Sequence, residues 1–160
     1  MRAFVFSAFL ALASAAAGPV LAQANAAAVG APEASPAARD AAQTVDAFMA
    51  ALVGGQLERA REQMTPNAVV VSNGEVLGER DEYIDGAAKG DSAALRTVQR
   101  ELVRRDARAG TDVAWVVSEK RLRSTAATQG PSEVVVETML LARTPAGWKI
   151  THVHWSGRRG

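Results

Sequence analysis

Two histidines separated by one residue, His152 and His154, are the side chains of this sequence best suited to chemistry near neutral pH. In a strand they point the same way, about 7 Å apart along the chain. Either imidazole can take or give a proton, so each is a candidate general acid or base. Tyr83, the single tyrosine, is the candidate hydrogen-bond donor that would work with them. Two imidazoles do not complete a metal site. A third ligand is needed, and Glu137 and Glu119 are the nearest by strand spacing. No metal and no other cofactor is expected. The catalytic candidates are His152, His154 and Tyr83. The competing reading is structural, with one histidine hydrogen-bonded inside the fold and the other at its rim.

The histidines belong to the stretch GWKITHVHWSGRR, Gly147 to Arg159, which follows a strand-like run from Val134 to Arg143. Thr144-Pro145-Ala146-Gly147 between them reads as a type I turn closed by a glycine bulge. Strict alternation puts Trp148, Ile150, His152 and His154 on one face, and Lys149, Thr151, Val153 and Trp155 on the other. The first face opens strongly apolar, so it is expected to point to the core. Its two histidines would then polarise the open end of a cavity walled by Trp115, Met139 and Ile150. Trp155, on the other face, is expected at a subunit interface. A three-residue loop sets Thr138 opposite His154 and Leu140 opposite His152. A two-residue loop sets Glu137 opposite His154 and Met139 opposite His152, and only then does Glu137 enter the pocket. Gly147 favours the first register.

The elements that must position these residues can be read in order. Ser35-Pro36 marks a helix start, and Ala41, Val45, Phe48, Met49 and Leu52 recur at helical spacing up to Gly54-Gly55. A short helix is predicted over 57–64. A strand over 68–72 and its return over 75–78 flank Asn73-Gly74, a strong hairpin signal. A third helix over 79–88 carries Tyr83 and is expected to break at Lys89-Gly90-Asp91. No carboxylate is placed beside Tyr83 by this pattern. Strands are predicted over 97–108, where Arg/Glu alternation also suits a helix, and over 112–123. Arg104-Arg105 is expected to be solvated. Helices first and strands afterwards point to an α+β domain.

Composition narrows the class. A formal charge of +1 gives no basic surface for nucleic acid, and the absence of cysteine excludes disulfides and thiolate chemistry. Residues 1–22 have the charged start, apolar run and small-residue end of a signal peptide, with cleavage after Ala22 or Ala24. The run is shorter than the roughly 20 residues of a membrane span, so no stable anchor is expected. An Ala/Pro linker over 23–36 and a domain over 37–160 would follow. The expected location is periplasmic or secreted.

The ordered pieces VDAFMAALVGGQLERAREQMTPNAVVVSNGEVLGERDEYI, DVAWVVSEKR, ETMLLARTPAGWKI and HVHWS resemble the nuclear transport factor 2-like superfamily. Within it they look most like SnoaL-like proteins and the calcium/calmodulin-dependent kinase II association-domain group. The resemblance implies a cystatin-like α+β roll, a cone-shaped curved antiparallel sheet wrapped around N-terminal helices. It also implies a cavity at the open end and a homodimer through the outer sheet face. The superfamily spans isomerases, dehydratases, cyclases and non-catalytic modules, so the fold alone does not give the reaction. The expected function is an exported domain that binds a small apolar or amphipathic ligand. The alternatives are an isomerase, dehydratase or hydrolase using a pocket histidine, or an oligomerisation module.

Overall fold

The computed structural model describes residues 34–126 and 132–159. The proposed signal peptide and nearly all of the proposed linker lie outside them. Helix α1 spans Pro36–Val53. It starts where the sequence says: the Ala38 amide donates to Ser35 Oγ at 3.2 Å, and Pro36 takes the first-turn position where its missing N–H costs nothing. Ala41, Val45, Phe48 and Leu52 form its buried stripe. Gly55 follows the helix at φ +71°, a conformation that glycine adopts without strain. Helix α2 is Leu57–Glu62.

Strand β1 (Met64–Ser72) and strand β2 (Glu75–Glu79) flank Asn73 and Gly74, at φ 49° and 86°. Two positive φ values in a row are what a tight hairpin of this hand requires. Helix α3 (Arg80–Asp85) ends at Gly86, and helix α4 (Ala88–Leu95) follows. Lys89-Gly90-Asp91 is therefore inside a helix and does not break one. Ala88 and Ser92 bury one side of α4, which packs on α1 and α3, and tertiary packing overrides the weak propensity of Gly90.

Strands β3 (Val98–Ala109), β4 (Val113–Ser124), β5 (Glu133–Thr144) and β6 (Gly147–Arg159) run as an antiparallel meander. β1 then pairs with β6 in parallel, giving the order β2-β1-β6-β5-β4-β3. The result is the expected α+β roll, a curved six-stranded sheet that covers the helices without closing. Among the described residues, no helix is long and apolar enough to cross a membrane.

Two extra residues decide which side chains face inward. In β6, Leu141 is opposite Ile150 but Leu140 is opposite His152, so Thr151 is an unpaired bulge. In β3, Leu102 is opposite Lys120 but Arg104 is opposite Glu119, so Val103 is the extra residue. A bulge breaks the period of two. Beyond Thr151 the inward residues are Val153 and Trp155, and His152 and His154 turn outward. The turn pairs Thr144 with Gly147, which is at φ +100°, and the later bulge restores Thr138 opposite His154 and Leu140 opposite His152. The expected three-residue loop is therefore corrected to a two-residue one; the favoured pairing of the histidines is reached only through the bulge at Thr151, and the faces are reversed.

The inner face is built in rows across the sheet. Ala114, Leu141, Ile150 and Met64 form one buried row, and Val116, Met139, Val153 and Val70 form the next. The inner positions of β4, Ala114, Val116 and Ser118, are all fully buried, and α1 packs on that strand. Trp115 alternates with them and so lies on the outer face, 36% exposed.

Candidate functional site

The next inner row, beyond Val116–Met139–Val153, is polar. Ser118 is opposite Glu137, and Glu137 is opposite Trp155. Glu137 is only 1% exposed. Trp155 Nε1–H donates to its Oε2 at 3.0 Å, and Lys120 Nζ donates to its Oε1 at 2.9 Å. Both carboxylate oxygens are engaged and its charge is neutralised, as burial of a carboxylate demands. Trp155 is fixed in turn by aromatic neighbours. Its ring stacks on Phe48 with centroids 6.5 Å apart and lies 6.1 Å from Tyr83.

The helix side supplies a second acid. Tyr83 is fully buried, and its hydroxyl donates to Asp91 Oδ2 at 2.9 Å. The pattern-based expectation of no carboxylate beside Tyr83 is corrected here. The continuation of α4 through Asp91 brings it there, one element after Tyr83. Burial, reinforced by the Asp91 charge and hydrogen bond, pushes the Tyr83 phenol far above its ordinary value. Tyr83 is thus a neutral donor committed to Asp91. Asp91 Oδ1 accepts no hydrogen bond from the described residues.

These groups border a cavity of about 180 Å³ between α1, α4 and the inner face of β4–β6. Leu52, Leu95, Leu122 and Val135 supply apolar wall, while Asp91, Lys120, Glu137 and Trp155 supply aimed polar groups. Apolar wall with a few placed polar groups is the make-up of a small-molecule site. The volume is of the order that accommodates one benzene-sized ring.

The residues expected at the site are divided by the structure. Glu137 lines the cavity, and in the register where it was not expected. Tyr83 stands behind Asp91. Met139 and Ile150 are in the buried core beneath, away from the cavity lining. His152 and His154 lie on the outer face, ring centroids 6.5 Å apart, because Thr151 reverses the phase of β6. Trp115 joins them outside, opposite Leu140, and Trp155 takes the inner place assigned to Trp115. The two tryptophans exchange their expected roles. No group of three or more His, Asp or Glu suited to hold a metal occurs among the described residues.

Asp91, Lys120 and Trp155 were not singled out as site residues. Asp91 sits in a Lys-Gly-Asp triplet that reads locally as a turn. Lys120 reads as an alternating surface position. Only the bulge at Thr151 brings Trp155 inward, and a Thr amid a β-branched run carries no mark of one. Arg105 was also misplaced. With Val103 bulged, it points inward, donates to Ser118 Oγ at 3.0 Å and pairs with Asp46 at 2.9 Å.

Comparison with known proteins agrees with this architecture. Residues 41–158 match the family model described as a SnoaL-like domain. A candidate ketosteroid isomerase from Shewanella frigidimarina superposes with a TM-score of 0.68 at 26% identity, covering 76% of this chain and 98% of its own. A candidate dehydratase of the nuclear transport factor 2-like family from Streptomyces avermitilis gives 0.64 at 23% identity, covering 76% and 95%. A calcium/calmodulin-dependent protein kinase type II association-domain protein from Thiobacillus denitrificans gives 0.58 at 18%, covering 72% and 92%. No curated protein matches the sequence. With the family model spanning residues 41–158, most of the chain, this protein belongs to the SnoaL-like domain family.

Proposed function

We propose that this chain is an exported small-molecule-binding domain whose ligand occupies the cavity beside Glu137. The observation that carries the reading is the buried Glu137, held by Trp155 and Lys120 at the wall of a hollow that combines apolar side chains with a few placed polar groups. A buried ion pair is a weak source of stability, and an apolar trio of similar volume would fill that space. Its position at a cavity wall is accounted for by recognition. The ligand is a single-ring or short-chain amphipathic molecule. Export follows from the leader-like residues 1–22, and the mass of the mature amino terminus in periplasmic or secreted fractions tests it. The chain works as a homodimer through its outer sheet face, where Trp115, Val136 and Leu140 stand exposed.

The binding test uses the indole N–H resonance of Trp155, assigned by its loss in Trp155→Phe. A panel of single-ring acids, amides, alcohols and amines is titrated while melting temperature is followed. Binders should shift that resonance and raise the melting temperature together. A panel with no binder, or binders that leave the resonance unmoved, would sink the reading.

A catalytic reading is favoured by one observation. Asp91 has one oxygen held by Tyr83 and the other available to a ligand, the arrangement of a positioned general base. In that reading Asp91, and not a histidine, takes the proton. Turnover of enolisable ketones or hydroxy compounds, abolished in Asp91→Asn with binding retained, would establish it. Turnover unchanged in Asp91→Asn would remove it.

A further inference from the structure

Met49, Arg100 and Lys120 line the cavity and also a second hollow, an open groove of about 490 Å³ between α1 and the edge strand β3. The groove has an apolar floor of Met49, Ala50, Val53 and Leu102. Its charged groups are Asp46, Arg100, Arg105 and Lys120. Arg105 is paired with Asp46, and Lys120 with Glu137. Arg100 differs. Its Nη1 donates to the carbonyls of Leu95 and Val98, and it has no carboxylate partner among the described residues. Both carbonyl bonds use Nη1, so the edge formed by Nε and Nη2 stays open. That edge takes a carboxylate through two parallel hydrogen bonds.

We infer that cavity and groove form one elongated site for a small amphipathic monoanion, with its carboxylate on Arg100 and its apolar body in the cavity against Leu52, Leu122 and Trp155. The inference rests on the small-molecule reading above and adds the ligand's charge and direction. One uncompensated cation stands at the junction, so one negative charge is matched there. One acid sets the direction. Asp91, half-buried beside Tyr83, lines the cavity but not the groove, and it repels an anionic head placed at the inner end. Lys120 is spoken for by Glu137, yet its ammonium carries two further N–H donors at the same junction. Asp91 Oδ1 remains an acceptor for a hydroxyl on the ligand's inner end.

The test compares 3-phenylpropionate, its amide and 3-phenylpropylamine by calorimetry on the protein and on Arg100→Gln. Arg100 is exposed, so the variant should fold, and its melting temperature checks this. The acid should bind more tightly than the amide by about tenfold or more, the usual range for a charge-assisted bond. Arg100→Gln should remove that advantage while leaving the amide's affinity unchanged. The acid's affinity should also fall as salt rises. Acid and amide binding equally would overturn the monoanion inference and leave the cavity reading standing. Preference for the amine would also overturn it, placing a cation beside Asp91. No binding by any of the three, with the Trp155 resonance unmoved across the wider panel, would overturn both.

Discussion

Trp155 and Glu137 face each other across the β5–β6 ladder, and the indole N–H of one donates to the carboxylate of the other at 3.0 Å. A cross-strand pair of this kind locks the register of the closing hairpin from inside the fold. It also leaves Glu137 with one neutral and one cationic donor. Trp155→Phe keeps the ring against Phe48 but removes the donor. A loss of roughly 1–3 kcal/mol is expected from the unsatisfied carboxylate oxygen, read from urea unfolding. A loss no larger than that of an ordinary surface substitution would mean the indole bond contributes nothing.

Lys120 carries the larger share. Lys120→Met leaves Glu137 charged and nearly without solvent, and about 3 kcal/mol of stability should be lost. The double variant Lys120→Met/Glu137→Leu removes both charges and should recover most of that loss. Additive losses would show that the two groups act independently, contrary to their 2.9 Å contact.

Tyr83 gives an optical test, because it is the only tyrosine in the sequence. Its phenol is raised, first by burial and then by Asp91, so the folded state resists ionisation. The sign follows: the associated stability is fully present below pH 10, the value for a free phenol, and is lost progressively as pH climbs above it. Native protein at pH 10 should show almost no phenolate absorbance, and the signal should rise only as circular dichroism reports unfolding. A phenolate midpoint near 10 in folded protein would contradict the buried Tyr83–Asp91 bond.

The elements of the fold were legible because their signals are local. Ser35-Pro36, Gly54-Gly55, Asn73-Gly74 and the apolar stripe of α1 each state a boundary or a face within a few residues. The site was less legible because it depends on phase. One unpaired residue, Thr151, exchanges the inner and outer sets of half a strand, and Val103 does the same in β3. Neither is a glycine or proline, so neither is marked. The favoured pairing of Thr138 with His154 still emerged, since pairing and facing are separate properties. Asp91 was hidden differently: its partner Tyr83 lies across a helix break at Gly86, and only the packing of α4 joins them.

Asp81 predicts an acid limb. Hydrogen bonds from Arg80 first, and then Arg61, hold its carboxyl down to about 2 from an ordinary 3.8. A lowered value in the folded state favours folding above pH 3.8, and that contribution disappears as pH falls toward 2. The site is exposed, so salt should screen the effect. The melting temperatures of Asp81→Asn and the parent should differ at pH 6 in low salt and converge by pH 2. A difference that persists at pH 2 would assign it to packing and not to charge.

The outer sheet face predicts a separation between the histidines and the ligand. His152 lies in a row with Leu140 and Trp115, and His154 in a row with Thr138 and Val117, all facing away from the cavity. His152→Ala/His154→Ala should therefore leave the ligand-induced shift of Trp155 unchanged. If two copies meet on this face, a charge in its apolar centre has no partner and must be desolvated. Trp115→Glu and Leu140→Glu should each convert a dimer to a monomer in light scattering at micromolar concentration, while circular dichroism stays native. A parent protein that is already monomeric would end the dimer proposal. A histidine double variant that loses ligand binding yet keeps its fold would place the working site on the outer face and reverse the reading of the cavity.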